Sequence, residues 1–357
     1  MNHKICLISF SNNVDHQNVI YSMFNALYSK YNIYTIGISN PKSNIAPKTE
    51  NNLYVDCPLR PGITKGTFNF RLLLSIRKWI KSNNIKYLYF ESQHIWNMFL
   101  MLMCLGNDKI VAVHDVIPHD GNKFMTLSNF VTCHLANHIV LRNNLFTDIL
   151  SKKYHLKKCK ISNFEPWRDY PNYEEPTNSK VILCFGRIRK YKGFDLFSEI
   201  INKTPEIKYR IVGEADKESK YLVDLVKDFN NVSLNDSEVS EDEMIKEFKD
   251  CDWVILPYSS ATQSGVITDA YRLSRPVIAF DVGALREQII DGKTGFLVPK
   301  GDVKSFVKKL NYAVNMNYEE LENFSRNAYD FGSKKYSTKA RAEEFYNLII
   351  NYKEGKK

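Results

Sequence analysis

The chain has 357 residues, 44% hydrophobic and 25% charged. This is about twice a usual domain length, with a globular balance that excludes a mainly disordered or fibrous chain. Seven cysteines lie apart with no C-x-x-C pair, which excludes a disulfide scaffold or a cysteine-rich zinc module and points to a reducing, cytosolic compartment.

The net charge of +9 is lopsided, since residues 1–178 hold 20 Lys+Arg against 12 Asp+Glu and the remainder 29 against 28. A basic first half favours an anionic partner such as acidic lipid headgroups or phosphate, or serves only solubility. No aromatic RNA-binding box or paired zinc ligands occur, so nucleic acid is not an expected partner. No apolar run approaches the roughly 18 residues of a spanning helix. The apolar stretch at 5–8 turns polar at Ser9, too short for a signal-peptide core.

In chain order, residues 5–10 read as a strand, 19–31 as a helix and 33–38 as a strand. A helix over 68–81 places Phe68, Leu72, Ile76 and Trp79 at helical spacing. Strands at 87–90, 110–114 and 139–141 follow, with a very apolar helix around 95–105 between the first two. Strands alternating with helices mean parallel βαβ units. Residues 167–180, with Pro171, Pro176 and Thr177-Asn178-Ser179, have linker composition. The pattern then restarts. Strands are expected at 181–185, 209–212, 232–234, 253–256 and 277–280. Helices are expected at 194–202, 220–229, 241–248, 268–273, 303–314, 319–331 and 338–352. The reading is α/β, two Rossmann-like domains in tandem. Ligands of such sheets bind outside the strand C-terminal ends, and a cleft between the two sheets is the expected site.

Two stretches of the second half carry chemistry. Gly186 ends a strand and is followed by Arg187, Arg189, Lys190 and Lys192 ahead of a helix near Gly193. A basic loop at a helix N-terminus is an anion site, or else a solvated turn. After the strand ending at Leu256, a small-residue loop leads to Ser264, Gly265 and Val266 at a second helix start. Their backbone N–H groups are open to an anion. Asp269 lies a turn further on, either accepting from two vicinal hydroxyls, as ribose offers, or complementing the helix dipole.

These motifs resemble a family. The strings G-R-I-R-K-Y-K-G-F-D-L, Ile211-Val212-Gly213-Glu214 and P-Y-S-S-A-T-Q-S-G-V-I-T-D-A-Y-R-L-S-R-P-V-I-A-F-D-V-G-A-L-R-E-Q-I-I-D-G-K-T-G-F-L-V are similar to the donor-binding half of the retaining, GT-B-fold glycosyltransferases of family 4. They are ordered, correctly spaced and span about residues 181–300. The resemblance implies an N-terminal acceptor-side domain (1–170) and a C-terminal nucleotide-sugar domain (171–335), facing across a cleft. It also implies a last helix (336–357) packing back on the first domain.

It further implies transfer of a sugar from a UDP- or GDP-sugar, with no other cofactor and no metal, to a glycan or lipid-linked saccharide in surface polysaccharide synthesis. The expected location is cytoplasmic, peripheral on the inner membrane face. Arg187 and Lys192 match the family's diphosphate-neutralising pair. Gly186, Glu214, Asn235, Val239, Gln263, Ser264, Gly265, Val266 and Asp269 fall on its donor and nucleotide contacts. His114, then His119, match a histidine facing the donor sugar. Two departures stand out. Ala261 occupies the place of the first of two glutamates, with Gln263 or Ser264 as possible substitutes, and the loop 11–17 lacks the family's paired glycines. Asp250-Cys251-Asp252 spells the metal motif of a different transferase fold, but it immediately precedes an apolar strand and reads as structural. A non-catalytic subunit that binds nucleotide sugar or a partner chain is the alternative that Ala261 favours.

Overall fold

A computed structural model describes residues 3–41, 43–58, 66–114, 116, 123–166 and 168–352. The chain forms two compact units, Met1–Asp169 with Tyr336–Lys357, and Tyr170–Lys335.

The first unit contains β1 (Lys4–Ile8), α1 (Val14–Leu27), β2 (Asn32–Ile38), β3 (Asn52–Val55), α2 (Phe70–Ser82), β4 (Tyr87–Phe90), α3 (Ile95–Met103), β5 (Asp108–Val113), α4 (Lys123–Leu135), β6 (His138–Leu141), α5 (Thr147–Lys153) and β7 (Ile161–Asn163). Its sheet runs β3-β2-β1-β4-β5-β6-β7, with every neighbouring pair parallel. The strands are apolar on both faces, as a sheet covered by helices on both sides requires. Ile5 and Leu7 point into one core, shared with Tyr21 and Phe24 of α1. Cys6 and Ile8 point into the other, shared with Leu73 and Ile76 of α2 and Trp96 of α3.

The second unit contains β8 (Val181–Phe185), α6 (Phe194–Asn202), β9 (Lys208–Val212), α7 (Lys220–Asp224), β10 (Val232–Asn235), α8 (Glu241–Lys249), β11 (Trp253–Leu256), α9 (Gly265–Arg272), β12 (Val277–Asp281), α10 (Leu285–Gln288), β13 (Gly295–Pro299), α11 (Val303–Asn315) and α12 (Tyr318–Tyr336). Its sheet, β10-β9-β8-β11-β12-β13, is also parallel throughout. In both sheets the strand order reverses beside the first strand, the place where open α/β sheets leave a crevice at the strand C-termini. The last helix, α13 (Thr338–Asn351), returns to the first unit. Its Phe345, Tyr346 and Ile349 join the α1 core, and Phe345 meets Tyr89 edge-on at 4.8 Å.

Some elements differ from the sequence expectation. α1 starts at Val14 because the Asn13 side chain accepts from the Asp15 amide and caps it. α9 starts at Gly265, with Ser264 as its cap residue, where the small-residue loop is expected to end, although the apolar periodicity places the helix only from 268. α7 stops at Asp224. The expectation omits β3, α4, α5, β7, α10 and β13, of which β3 and β7 are only four and three residues long. The apolar helix α3 buries Trp96, Leu100 and Met101 but leaves Leu102 exposed.

Candidate functional site

In the second unit the strand C-termini are drawn together by glycine backbone. Gly186 follows β8 at φ 92° and Gly213 follows β9 at φ 147°. A Cβ on Gly213 would stand 2.5 Å from the Gly186 carbonyl oxygen, so only glycine fits. The Gly213 amide donates to the Asn235 carbonyl at 2.9 Å, and the Ile188 amide to that of Glu214 at 2.9 Å. Gly186, Glu214 and Asn235 thus lie on one sheet edge. The Glu214 side chain is exposed, and the Asn235 side chain accepts from the Ser237 hydroxyl. Val239 sits half-buried just before Ser240, the cap of α8.

The basic loop curls over this edge. Lys190–Lys192 form one 3-10 turn, closed by Gly193 at φ 69°. A Cβ on Gly193 would meet the Pro257 carbonyl oxygen at 2.0 Å. Lys192 is 4% exposed. Its ammonium donates to the Phe185 carbonyl at 3.1 Å and lies 5.5 Å from the Tyr258 ring centre. Burial lowers its pKa to about 8, the Cys184 thiol opposes this, and the charges of Arg187 and Arg189 add to it. Arg189 pairs with Asp216, whereas Arg187 is exposed and has no ion pair among the described residues. A Cβ on Gly186 would lie 2.8 Å from Lys192 Nζ and 3.5 Å from Val266 Cγ2, so the basic loop and the start of α9 adjoin.

At that start the amides are not equivalent. Ser264 N–H donates to Gln288 Oε1 at 2.8 Å, while Gln288 Nε2 donates back to the Ser264 carbonyl at 3.2 Å. The Ser264 amide is therefore already engaged, which leaves Gly265 and Val266 as the half-exposed pair at the helix tip. Gln263 Oε1 is buried with no hydrogen-bond partner among the described residues. Asp269, one turn inside α9, is 6% exposed and stands 3.9 Å from Arg272 Nε. Ala261 is buried with its carbonyl against Gly283. Asp252 accepts from the Lys180 amide at 2.6 Å and the Thr177 hydroxyl at 3.1 Å, fastening the entering chain to the start of β11. Asp250 ends α8, facing Arg210.

In the first unit, His114 follows β5. Its Nε2 faces the Glu91 carbonyl at 2.6 Å and Glu91 Oε1 at 3.2 Å. Glu91 follows β4 and is fully buried, paired with Arg142, which follows β6. Burial alone would raise the Glu91 carboxyl. Arg142 first, then His114 and His16, outweigh it and hold the pKa at about 2. The His16 ring lies 4.5 Å from that of His114. Burial, then His114, lowers its pKa to about 3. Loop 11–17 is tied to itself, with Gln17 donating to the Ser11 carbonyl at 3.0 Å. A cavity of 370 Å³ lined by Asn12, Ser39, Asn40, Asp56 and Cys57 opens at the ends of β2 and β3. His119 and Asp115 lie outside the described residues, as does Trp167.

The sequence reading did not single out Glu91, Arg142, His16, Tyr258 or Gln288. Glu91 directly follows the apolar strand 87–90, as Arg142 follows the apolar stretch 139–141, a signal that was present.

Two parallel sheets flanked by helices, each with its crevice at the strand C-termini, define a two-domain Rossmann-like fold of the GT-B kind. Residues 167–331 match the family model of glycosyl transferases group 1. Over 157 residues the chain is 29% identical to the sulfoquinovosyl transferase SQD2 of Arabidopsis thaliana, covering 43% of this chain and 28% of the relative. Over 264 residues it is 27% identical to the capsular polysaccharide biosynthesis glycosyltransferase CapM of Staphylococcus aureus, covering 69% and 63%. Anabaena HepE, solved in complex with UDP and glucose, superposes with a TM-score of 0.71 at 12% identity over 97% of this chain and 99% of that one. The chain thus spans between about a quarter and under two thirds of the length of these curated relatives.

Proposed function

We propose that the chain is a retaining family 4 glycosyltransferase. It moves a sugar from a UDP- or GDP-sugar to a glycan or lipid-linked saccharide in surface polysaccharide synthesis. The observation that carries this reading is Lys192, a buried ammonium of lowered pKa near Arg187, which has no ion pair among the described residues, next to the open tip of α9. A buried ammonium, an exposed guanidinium and open helix-tip amides together suit an anion, and a diphosphate is one.

In this reading the second unit is the nucleotide-sugar domain. Arg187, Lys192 and the amides of Gly265 and Val266 stabilise the charge that develops on the departing diphosphate in an oxocarbenium-like transfer. Asp269 receives the ribose hydroxyls, and the stretch from Asn235 to Val239 borders the base, with Glu214 beside it. Gln263 Oε1, buried with no partner among the described residues, accepts from a sugar hydroxyl where position 261 has only a methyl group. The first unit is the acceptor side. His114 serves the sugar substrate there, and Asn12, Asn40 and Asp56 in the cavity beside β2 and β3 take acceptor hydroxyls. Preorganised cations and a helix tip do the work a metal would do, so turnover is expected to survive EDTA.

Anionic lipid is the proposed docking partner, on the cytoplasmic face of the membrane. Among the described residues no helix is long and apolar enough to cross a membrane. Exposed Phe68, Phe70, Leu74 and Leu102 on and beside α2 and α3, with exposed Arg71, Lys78, Lys152 and Lys153, support an interfacial contact. Equal sedimentation with neutral and anionic liposomes would remove it.

Thermal-shift measurement against UDP, GDP, ADP and their sugars tests the central reading. One diphosphate should raise the melting temperature by mass action, and no response to any of them contradicts it. Turnover above background, with product and donor of the same anomeric configuration, tests transfer and retention. Binding without turnover favours the second reading, a non-catalytic subunit that binds nucleotide sugar or a partner chain, for which the methyl group of Ala261 is the specific observation.

A further inference from the structure

α9 and the turn after it carry two buried arginines that are used differently. Arg275 spends its guanidinium on main-chain carbonyls. Its Nε donates to Phe248 and its Nη2 to Lys249, both at 2.9 Å, and its Nη1 to Ser274 at 3.2 Å. It fastens the turn to the end of α8 and is satisfied as a structural arginine is. Arg272, the last residue of α9 and only 7% exposed, is not. Its Nε is buried with no hydrogen-bond partner among the described residues. Two carboxylates flank it instead. Asp269 Oδ1, one turn back on α9, is 3.9 Å from Nε, and Glu241 Oε1, in the first turn of α8, is 3.7 Å from Nη2. Both are ion-pair distances, too long for hydrogen bonds. Burying a guanidinium without direct hydrogen bonds is costly, and an apolar side chain would fill the space without that cost. What the cation adds is a fixed positive charge that reaches one carboxylate on each helix.

We propose that Arg272 is a positioning residue, which orients the Asp269 carboxylate for the vicinal hydroxyls of a ribose and, through Glu241, ties it to the tip of α8. This deepens the donor reading and rests on it, because the ribose is the part of the ligand that Asp269 receives there. Hydroxyls that donate to Asp269 share its charge with Arg272. Cation and pentose then act on one carboxylate, and their contributions to binding are coupled.

Isothermal titration of the full-length wild type and of Arg272→Met tests it, with UDP or GDP, whichever binds, and with the 2′,3′-dideoxy form of that nucleotide. Arg272→Met should weaken the ribonucleotide by about tenfold and leave the dideoxy form within about twofold of wild type. Arg272→Lys should recover part of the loss. An equal loss for both nucleotides, or a loss for neither, overturns the positioning role and leaves the donor reading standing. If the wild type binds the ribonucleotide and its dideoxy form alike, Asp269 does not receive the ribose and the inference falls with that contact alone. If the wild type binds neither UDP nor GDP, the donor reading fails and takes the inference with it. Should Arg272→Met not fold, the Arg272 Nε–H resonance of the nitrogen-labelled wild type decides, assigned by its loss in Arg272→Lys. It should move with the ribonucleotide and stay in place with the dideoxy form, and equal movement with both contradicts the proposal.

Discussion

The two sheets are built on the same parallel plan, yet their C-terminal edges carry opposite electrostatics. In the first unit, charge is cancelled where it arises: Glu91 and Arg142 pair in the interior, and the neighbouring His16 is kept neutral by burial. In the second, charge is left over, since Lys192 is buried on a carbonyl and an aromatic face, and Arg187 projects beside it without an ion pair among the described residues. A compensated edge orients neutral hydroxyl groups. An uncompensated one stores unfavourable desolvation that an arriving anion relieves. In the proposed reading this contrast divides the work of a transferase between the two units.

The comparison can be broken where the cancelled charge is deepest. Arg142→Ala should cost about 3–5 kcal/mol, because it strands the Glu91 carboxylate in the interior. Urea unfolding measures this, and a loss near zero would mean that the pair is solvated. In the other unit, Lys192→Ala should leave the melting temperature near that of wild type but lower kcat/KM for donor turnover by about 10²–10³. Steady-state kinetics with the donor found by thermal shift checks it. Gly193→Ala, which drives a Cβ into the Pro257 carbonyl from a left-handed backbone, should cost about 1–3 kcal/mol by urea unfolding.

The smallest effect sharpens the contrast through pH. With the free Lys192 ammonium near pKa 8, diphosphate affinity should be flat below that pH. Above it, affinity should fall by up to about tenfold per unit, since the anion binds the protonated form. The Lys192→Gln variant should lose this slope. The first unit has the opposite sign. Glu91 contributes stability above its unfolded range, and that contribution disappears as acid approaches its folded value of about 2.

Much of the architecture was legible because strands buried on both faces read as short apolar runs, as at Tyr87–Phe90 and Trp253–Leu256. The omitted β7 has only Ile-Ser-Asn, and its pairing comes from β6 rather than from any local pattern. β13 begins with glycine and ends with proline, residues that mark turns, although its pairing with β12 makes it a strand. At the second-unit edge, spacing revealed the basic loop and the start of α9. The Gln288 that occupies the Ser264 amide lies 24 residues on, and no local signal joins them. The Glu91–Arg142 pair spans 51 residues across three strands. Only the sheet order brings it together with His114.

Isothermal titration of the wild type and of Arg187→Gln/Lys192→Gln with UDP and with GDP is the most direct test of the uncompensated edge. One diphosphate should bind the wild type at neutral pH, with affinity falling above about pH 8, and bind the double variant at least about a hundredfold more weakly. Equal affinity for both proteins, or no binding of either nucleotide to the wild type, would contradict the assignment.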